Sequence, residues 1–148
     1  MSTNSEKVRK ALFAKSNVSA VVGSGKLTAI YESKAPETAV LPYGIFQRQA
    51  PGTPTYSFGT STAPTQQLES DLWLFKVLAD EDSSTTKEPQ EFAEDMSGTW
   101  LSTLGNTLTL SGSSVRWMAW FADMPPQQEQ VTDRDIYHRG FMLKIEVA

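Results

Sequence analysis

One stretch, Leu68-Glu-Ser-Asp-Leu-Trp-Leu-Phe-Lys-Val-Leu78, constrains the fold of this chain more than any other. Successive side chains on a strand point to opposite faces. Leu72, Leu74 and Leu78 therefore share one face, and Trp73, Phe75 and Val77 share the other. Apolar residues of both parities require cover on both sides, so the run reads as a central strand. Rising roughly 3.3 Å per residue, it spans about 36 Å, enough to cross a small domain and protrude at one end.

The remainder of the chain must supply that cover. At 148 residues with 39% hydrophobic residues, four Trp and seven Phe, there is material for one packed core, and a single domain over residues 1–148 is expected. The net charge of −4 argues against a broad basic face that grips nucleic-acid phosphates, but it is compatible with an acidic wall past which nucleic acid slides. With no cysteine, neither a disulfide framework nor a thiolate metal site can form. No run of about 18 apolar residues occurs and the N-terminus has no signal-like apolar region, so a soluble chain without a recognisable leader is expected.

Taken in order, Thr3 and Glu6 have capping-box spacing, and Val8, Ala11 and Leu12 recur on one helical stripe, predicting a helix over Asn4 to Ser16. A short turn carrying Val21 and Val22 ends at Gly23-Ser24-Gly25. Leu27 to Tyr31 is a weak strand, and Pro42 opens a strand over Tyr43 to Gln49. Ala50 to Thr65 holds Pro51, Gly52, Pro54, Gly59 and Pro64 with Thr and Ser between them, and Tyr56 and Phe58 as its large apolar residues; it reads as an exposed hairpin arm or long loop. After the central strand comes a polar turn, in which Thr85 and Glu88 repeat capping-box spacing ahead of Pro89.

Phe92, Met96, Trp100 and Leu104 then recur at four-residue steps, predicting an amphipathic helix that covers one sheet face. Gly105 stands where a left-handed C-cap residue belongs, and Gly98, which costs a helix about 1 kcal/mol relative to Ala, reads as a close approach to another backbone. Two strands, Thr107 to Leu110 and Val115 to Phe121, are expected to join through Ser111-Gly112-Ser113. Asp123 to Asp133 reads as a polar loop. The last strand, about Ile136 to Val147, places Tyr137, Arg139, Phe141, Leu143, Ile145 and Val147 on a buried face and His138, Met142, Lys144 and Glu146 on a wet one. The fold class is α+β: a mainly antiparallel sheet, two helices packed on one face, and a protruding hairpin arm.

The chemistry in the sequence is sparse. Val22-Gly-Ser-Gly-Lys-Leu27 is similar to the end of a phosphate-binding loop, but Ala20 and Leu27 stand where that motif needs Gly and Ser or Thr. A single histidine, His138, excludes a two-histidine metal site, and on the wet parity it reads as a surface residue. Asp80-Glu81-Asp82 lacks the glycine spacing of a calcium loop, and no Gly-x-Ser-x-Gly elbow occurs. No catalytic, cofactor or metal site is expected. Arg116-Trp-Met-Ala-Trp-Phe121 reads first as a core strand and second as an interface, where aromatics and arginine concentrate. On the same ground Arg48, Arg116, Arg134 and Arg139, together with Tyr56 and Phe58 of the arm, are the candidate interface residues.

Val21-Val22-Gly23, Lys26-Leu27, Ile30-Tyr31, Ala35-Pro36 and Pro42-Tyr43-Gly-Ile-Phe-Gln47 resemble the N-terminal half of the tail-completion proteins, or tail terminators, of long-tailed phages. The central strand, the helix ending near Leu104 and the alternating last strand extend the resemblance over nearly the whole chain. The arm and the Asp123 to Asp133 loop depart from it. The resemblance implies a virion structural subunit that forms a ring with itself, usually of six copies, on the head-proximal end of the tail tube. Such a ring stops tube growth and joins the tube protein to the head connector, while DNA passes through its lumen without sequence-specific binding. Alternatives are another neck or connector ring of the virion, and a cytoplasmic ligand-binding domain with a concave pocket.

Overall fold

The computed structural model describes residues 4–57, 65–110, 115–131 and 133–147. Its elements are α1 (Asn4–Ser16), β1 (Ile30–Glu32), β2 (Tyr43–Ser57), β3 (Thr65–Ala79), a 3-10 turn (Glu81–Ser83), α2 (Pro89–Leu104), β4 (Val115–Asp123), β5 (Gln127–Val131) and β6 (Arg134–Val147). The strands form one six-stranded sheet in the order β1-β2-β3-β6-β4, with β5 following β4 along the same edge of β6. Every pairing is antiparallel except β1 with β2. This is an α+β fold, and the run that reads as a central strand lies inside β3, between β2 and β6.

The core follows from strand register. Phe46, Phe75 and Phe141 occupy matching positions on β2, β3 and β6. Their rings stack across the sheet, with centroids 5.9 Å apart for Phe46 and Phe75 and 4.9 Å for Phe75 and Phe141. Trp100 of α2 meets Phe75 and Phe141 edge-on, at 5.3 and 6.0 Å. Both arrangements suit the aromatic quadrupole. The four-residue stripe Phe92, Met96, Trp100 and Leu104 is buried, as is the Val8 and Leu12 stripe of α1. Both helices join the same cluster as Trp73, Phe75, Val77, Leu143 and Ile145, so both cover one face of the sheet. Each large side chain of α2 contributes roughly 1.5–3 kcal/mol by its burial.

Backbone detail explains where elements stop. The Gly105 N–H donates to the Leu101 carbonyl with φ at +61°, closing α2 as its sequence implies. The N-terminus differs from expectation. Glu88 is the N-cap and makes no side-chain cap, while Ser84 Oγ accepts from the amides of Thr86 and Lys87, so Thr85 and Glu88 form no capping box. Pro89 is in the first helical turn, where its missing N–H costs nothing.

Four further expectations are corrected. Asp123 to Asp133 is not a plain loop: after Met124-Pro125-Pro126 the chain forms β5, paired with β6 from Gln127 opposite His138 to Val131 opposite Arg134. All five β5 residues are exposed and four of them are Gln or Glu, which leaves no hydrophobic pattern to read. Thr107 to Leu110 is not a continuous strand: Thr109 makes a single β-bridge, Leu108 and Leu110 pack on the core, and the Thr107 carbonyl accepts from Lys15 Nζ. A Cβ on Gly98 would meet nothing within 4 Å, so Gly98 faces open space rather than a backbone. The close approach is at Gly140, where a Cβ would come within 2.0 Å of the Phe75 carbonyl oxygen.

The last correction concerns β6. From Phe141 to Val147 the odd positions are buried, as expected, but at its start the buried residues are Ile136 and His138. Here the face turned away from the helices carries its own small cluster of Ile45, Leu78 and Ile136, with Tyr31, Leu41 and Tyr43 packed against it. His138 stands opposite Leu78 in this corner and is only 7% exposed, so it is not a surface residue.

Candidate functional site

The arm is continuous with the sheet. β2 and β3 each run 15 residues and stay paired out to Ser57 opposite Thr65. Their neighbours stop earlier. β1 pairs with β2 only from Gly44 to Phe46, and β6 leaves β3 after Val147 opposite Glu69. Past these points the ribbon has no third strand among the described residues. β2 carries Pro51 and Pro54 in this part, with register shifts between Arg48 and Ala50, Ala50 and Thr53, and Thr55 and Tyr56. A proline cannot donate to a ladder and is tolerated on a free edge or at a bulge, which this edge provides.

A second, shorter projection lies at the other end of the sheet. β3 ends at Ala79 opposite Tyr137, while β6 begins three residues earlier and turns back into β5. Arg134, beside the hairpin turn, ties the projection back to the end of β3: its Nη1 donates to Asp80 Oδ2 at 3.0 Å, and the Asp80 side chain is itself buried. Asp80 also accepts from the Asp82 amide and the Ser83 hydroxyl at the 3-10 turn. His138 Nε2 lies 3.1 Å from Glu129 Oε2, joining β6 to β5. Burial pushes the His138 pKa below its usual value, and the Glu129 hydrogen bond opposes that shift in part. Burial likewise raises the Tyr43 phenol, and the charge of Glu129 adds to the effect.

The remaining arginines of interest are distributed over the same fold. Arg48 Nη2 is 3.1 Å from Oδ1 of the buried Asp71, on the sheet face that bears the helices. Arg139 reaches Glu94 of α2 with Nε at 3.4 Å and donates Nη1 to the His138 carbonyl at 2.9 Å. Arg116 lies in β4, and Tyr56 lies in β2 with its backbone opposite Gln66. Phe58 falls outside the described residues. Arg48, Arg134 and Arg139 are thus brought into ion pairs within the chain and lie on three different parts of it. No sequence pattern singled out their partners Asp71 and Asp80, because a buried carboxylate looks like any other until the fold places it.

β4 completes the picture on the outer edge of the sheet. Met118 is buried against the core, whereas Trp120 and Phe121 are 54% and 55% exposed. A register shift between Trp120 and Ala122 turns this part of the strand, and Trp120 Nε1 donates to Asp123 Oδ1 at 3.1 Å. Between α2 and the β4–β5 junction lies an open cleft of about 490 Å³, lined by Ser97, Gly98, Leu101, Met124, Arg139 and Phe141 among others. Among the described residues no group of three His, Asp or Glu side chains could hold a metal ion, and no helix is long and apolar enough to cross a membrane.

Comparison with known proteins gives fold likeness without sequence likeness. No family model matches the sequence, and no curated protein matches it. Among solved structures, a chain from the virion of a native gene transfer agent particle superposes with a TM-score of 0.65 at 14% identity, covering 99% of this chain and 98% of that one. A second solved chain, whose name describes no function, gives 0.56 at 14% identity and covers 99% of this chain and 97% of that one.

Proposed function

We propose that this chain is a structural protein of a phage-like virion, and that within the virion it is the ring subunit closing the head-proximal end of the tail tube. The observation that carries the coarser reading is the likeness to the gene transfer agent virion chain, which extends over essentially the whole of both chains. The finer reading rests on the resemblance of its N-terminal half to tail terminators and on the layout of the sheet. A ring subunit must meet two unlike neighbours, and head-to-tail contacts close into rings. Here the ribbon at one end of the sheet and the β5–β6 hairpin at the other provide projections in opposite directions.

In this reading the chain acts by assembly and carries out no turnover. Its neighbours are further copies of itself, the tube protein and the head connector. DNA passes through the ring, and the net charge of −4 suits a channel that does not hold it. The other neck rings of a virion are the competing assignment, since they would share the same fold likeness.

The test is negative-stain microscopy of the purified chain mixed with its tail tubes. Rings, and density on one end of each tube with tube length arrested, are the expected result. Bare tube ends at every concentration would overturn the terminator assignment. A chain lacking Gly52 to Pro64 is expected to lose capping; normal rings and normal capping would remove the arm from this role.

A further inference from the structure

The ribbon departs from how proteins treat exposed strand edges. Such edges are ordinarily blunted by charge, proline or bulges, since unpaired N–H and C=O groups recruit other strands. From Gln49 to Leu68 the chain contains no Asp, Glu, Lys or Arg, in a protein that is 20% charged. Only one of the two ribbon edges is blocked. The β2 edge has Pro51, Pro54 and the register shifts, whereas Thr65 to Leu68 of β3 has no proline and, among the described residues, no β6 partner beyond Glu69. A two-stranded ribbon is marginal in water without a third strand.

The same chain carries a second undefended edge. β4 is the last strand on its side of the sheet among the described residues, contains no proline from Val115 to Asp123, and leaves Trp120 and Phe121 more than half exposed. The segment Trp117 to Ala122 is also free of charge. Bringing these two edges together strands no ion in a dry contact, and burying an unpaired ion would be costly.

We propose that Thr65 to Leu68 of one copy adds as a strand to the free edge of β4 in a second copy, making a head-to-tail contact of two unlike edges. The inference rests on the ring reading and gives it a specific interface. Each copy has one ribbon edge and one β4 edge, so the contact repeats until the rotation closes a ring. Backbone hydrogen bonds hold it, and Trp120 and Phe121 are covered by it. Nucleic acid is the less favoured occupant of the ribbon, because cationic side chains supply most of the non-specific affinity for phosphates and the ribbon has none.

The experiment uses the full chain and follows mass by light scattering over a concentration series at low and high salt. Arm variants are Gln66→Pro and Gln67→Pro, made singly; amides of adjacent residues face opposite sides, so one of the two removes an outward donor. The edge variant combines Trp120→Lys with Phe121→Lys. Gln66→Lys and Gln67→Lys keep every backbone donor and serve if a proline unfolds the ribbon, with unchanged circular dichroism and melting as the check on folding.

The unmodified chain is expected to associate with little dependence on salt, and each variant class to weaken association by roughly tenfold or more. An equal mixture of arm and edge variants retains one intact contact per pair, so it should form dimers and stop there. The proposal is overturned if the unmodified chain stays monomeric at all concentrations, if every arm variant associates normally, or if the mixture stays monomeric while the unmodified chain assembles. Tube capping without these dimers would leave the terminator reading standing and remove this contact. Dimers without capping would do the reverse.

Discussion

Trp100 Nε1 donates to Ser16 Oγ over 2.8 Å in the interior, joining the C-terminal half of α2 to the last residue of α1. Both residues are fully buried, so the bond is made without competition from water. It fixes how the first helix sits beside the second, and with it the Val8 and Leu12 stripe over the sheet.

Ser16→Ala should therefore leave a buried indole N–H without an acceptor. The expected loss is about 1–3 kcal/mol of folding stability, the range for an unsatisfied buried donor. A denaturant titration with an unmoved midpoint would show that the indole finds another partner at no cost.

Gly140→Ala is expected to be far more severe. The new methyl would lie 2.0 Å from the Phe75 carbonyl oxygen and 2.8 Å from Lys76 Cα, both backbone atoms of the neighbouring strand. The strands must separate or shift register to admit it, which disrupts the stacked phenylalanines on either side. Soluble expression with a melting temperature equal to that of the unmodified chain would contradict this.

Gly98→Ala should act in the opposite direction. The site is inside α2 and its Cβ would meet no atom, so the usual advantage of Ala over Gly in a helix interior, about 1 kcal/mol, should appear in full. Thermal melting measures it. A decrease in stability would mean that the open space beside Gly98 is needed for something the isolated chain already contains.

His138 is expected to contribute to the loss of stability on the acid side of neutrality. Its pKa is depressed by burial, so the folded chain resists a proton that the unfolded chain accepts at about 6.5. The stability tied to the neutral ring is complete above about pH 6.5 and is lost as pH falls below it toward the depressed folded value. As this is the chain's one histidine, His138→Gln should flatten the stability profile just below about pH 6.5. An identical slope in both proteins would assign the effect to carboxylates.

Sequence reading succeeded where a side-chain period carried the information. The four-residue steps from Phe92 to Leu104 and the two-sided apolar run through Trp73 and Phe75 reflect burial directly, and both elements lie where the pattern puts them. β5 was illegible for the complementary reason: all five of its residues are exposed, and only backbone pairing with β6 makes them a strand. His138 was misread because parity assigns a residue to a face but does not say which part of that face is covered. The cover comes from Tyr31, Leu41 and Tyr43, about a hundred residues earlier in the chain. Of the candidate interface residues, sequence gave identities, while their internal partners Asp71, Asp80 and Glu94 come from the fold alone.

The antiparallel ladder between β3 and β6 runs without a register shift from Glu69 opposite Val147 to Ala79 opposite Tyr137. β3 enters the ribbon at one end of that ladder, and β6 enters the β5 hairpin at the other. A pull that draws the two projections apart therefore acts along the ladder rather than across it, so its rungs resist together instead of unzipping one at a time. The sheet is thus arranged as a tie that transmits tension between whatever grips its two ends.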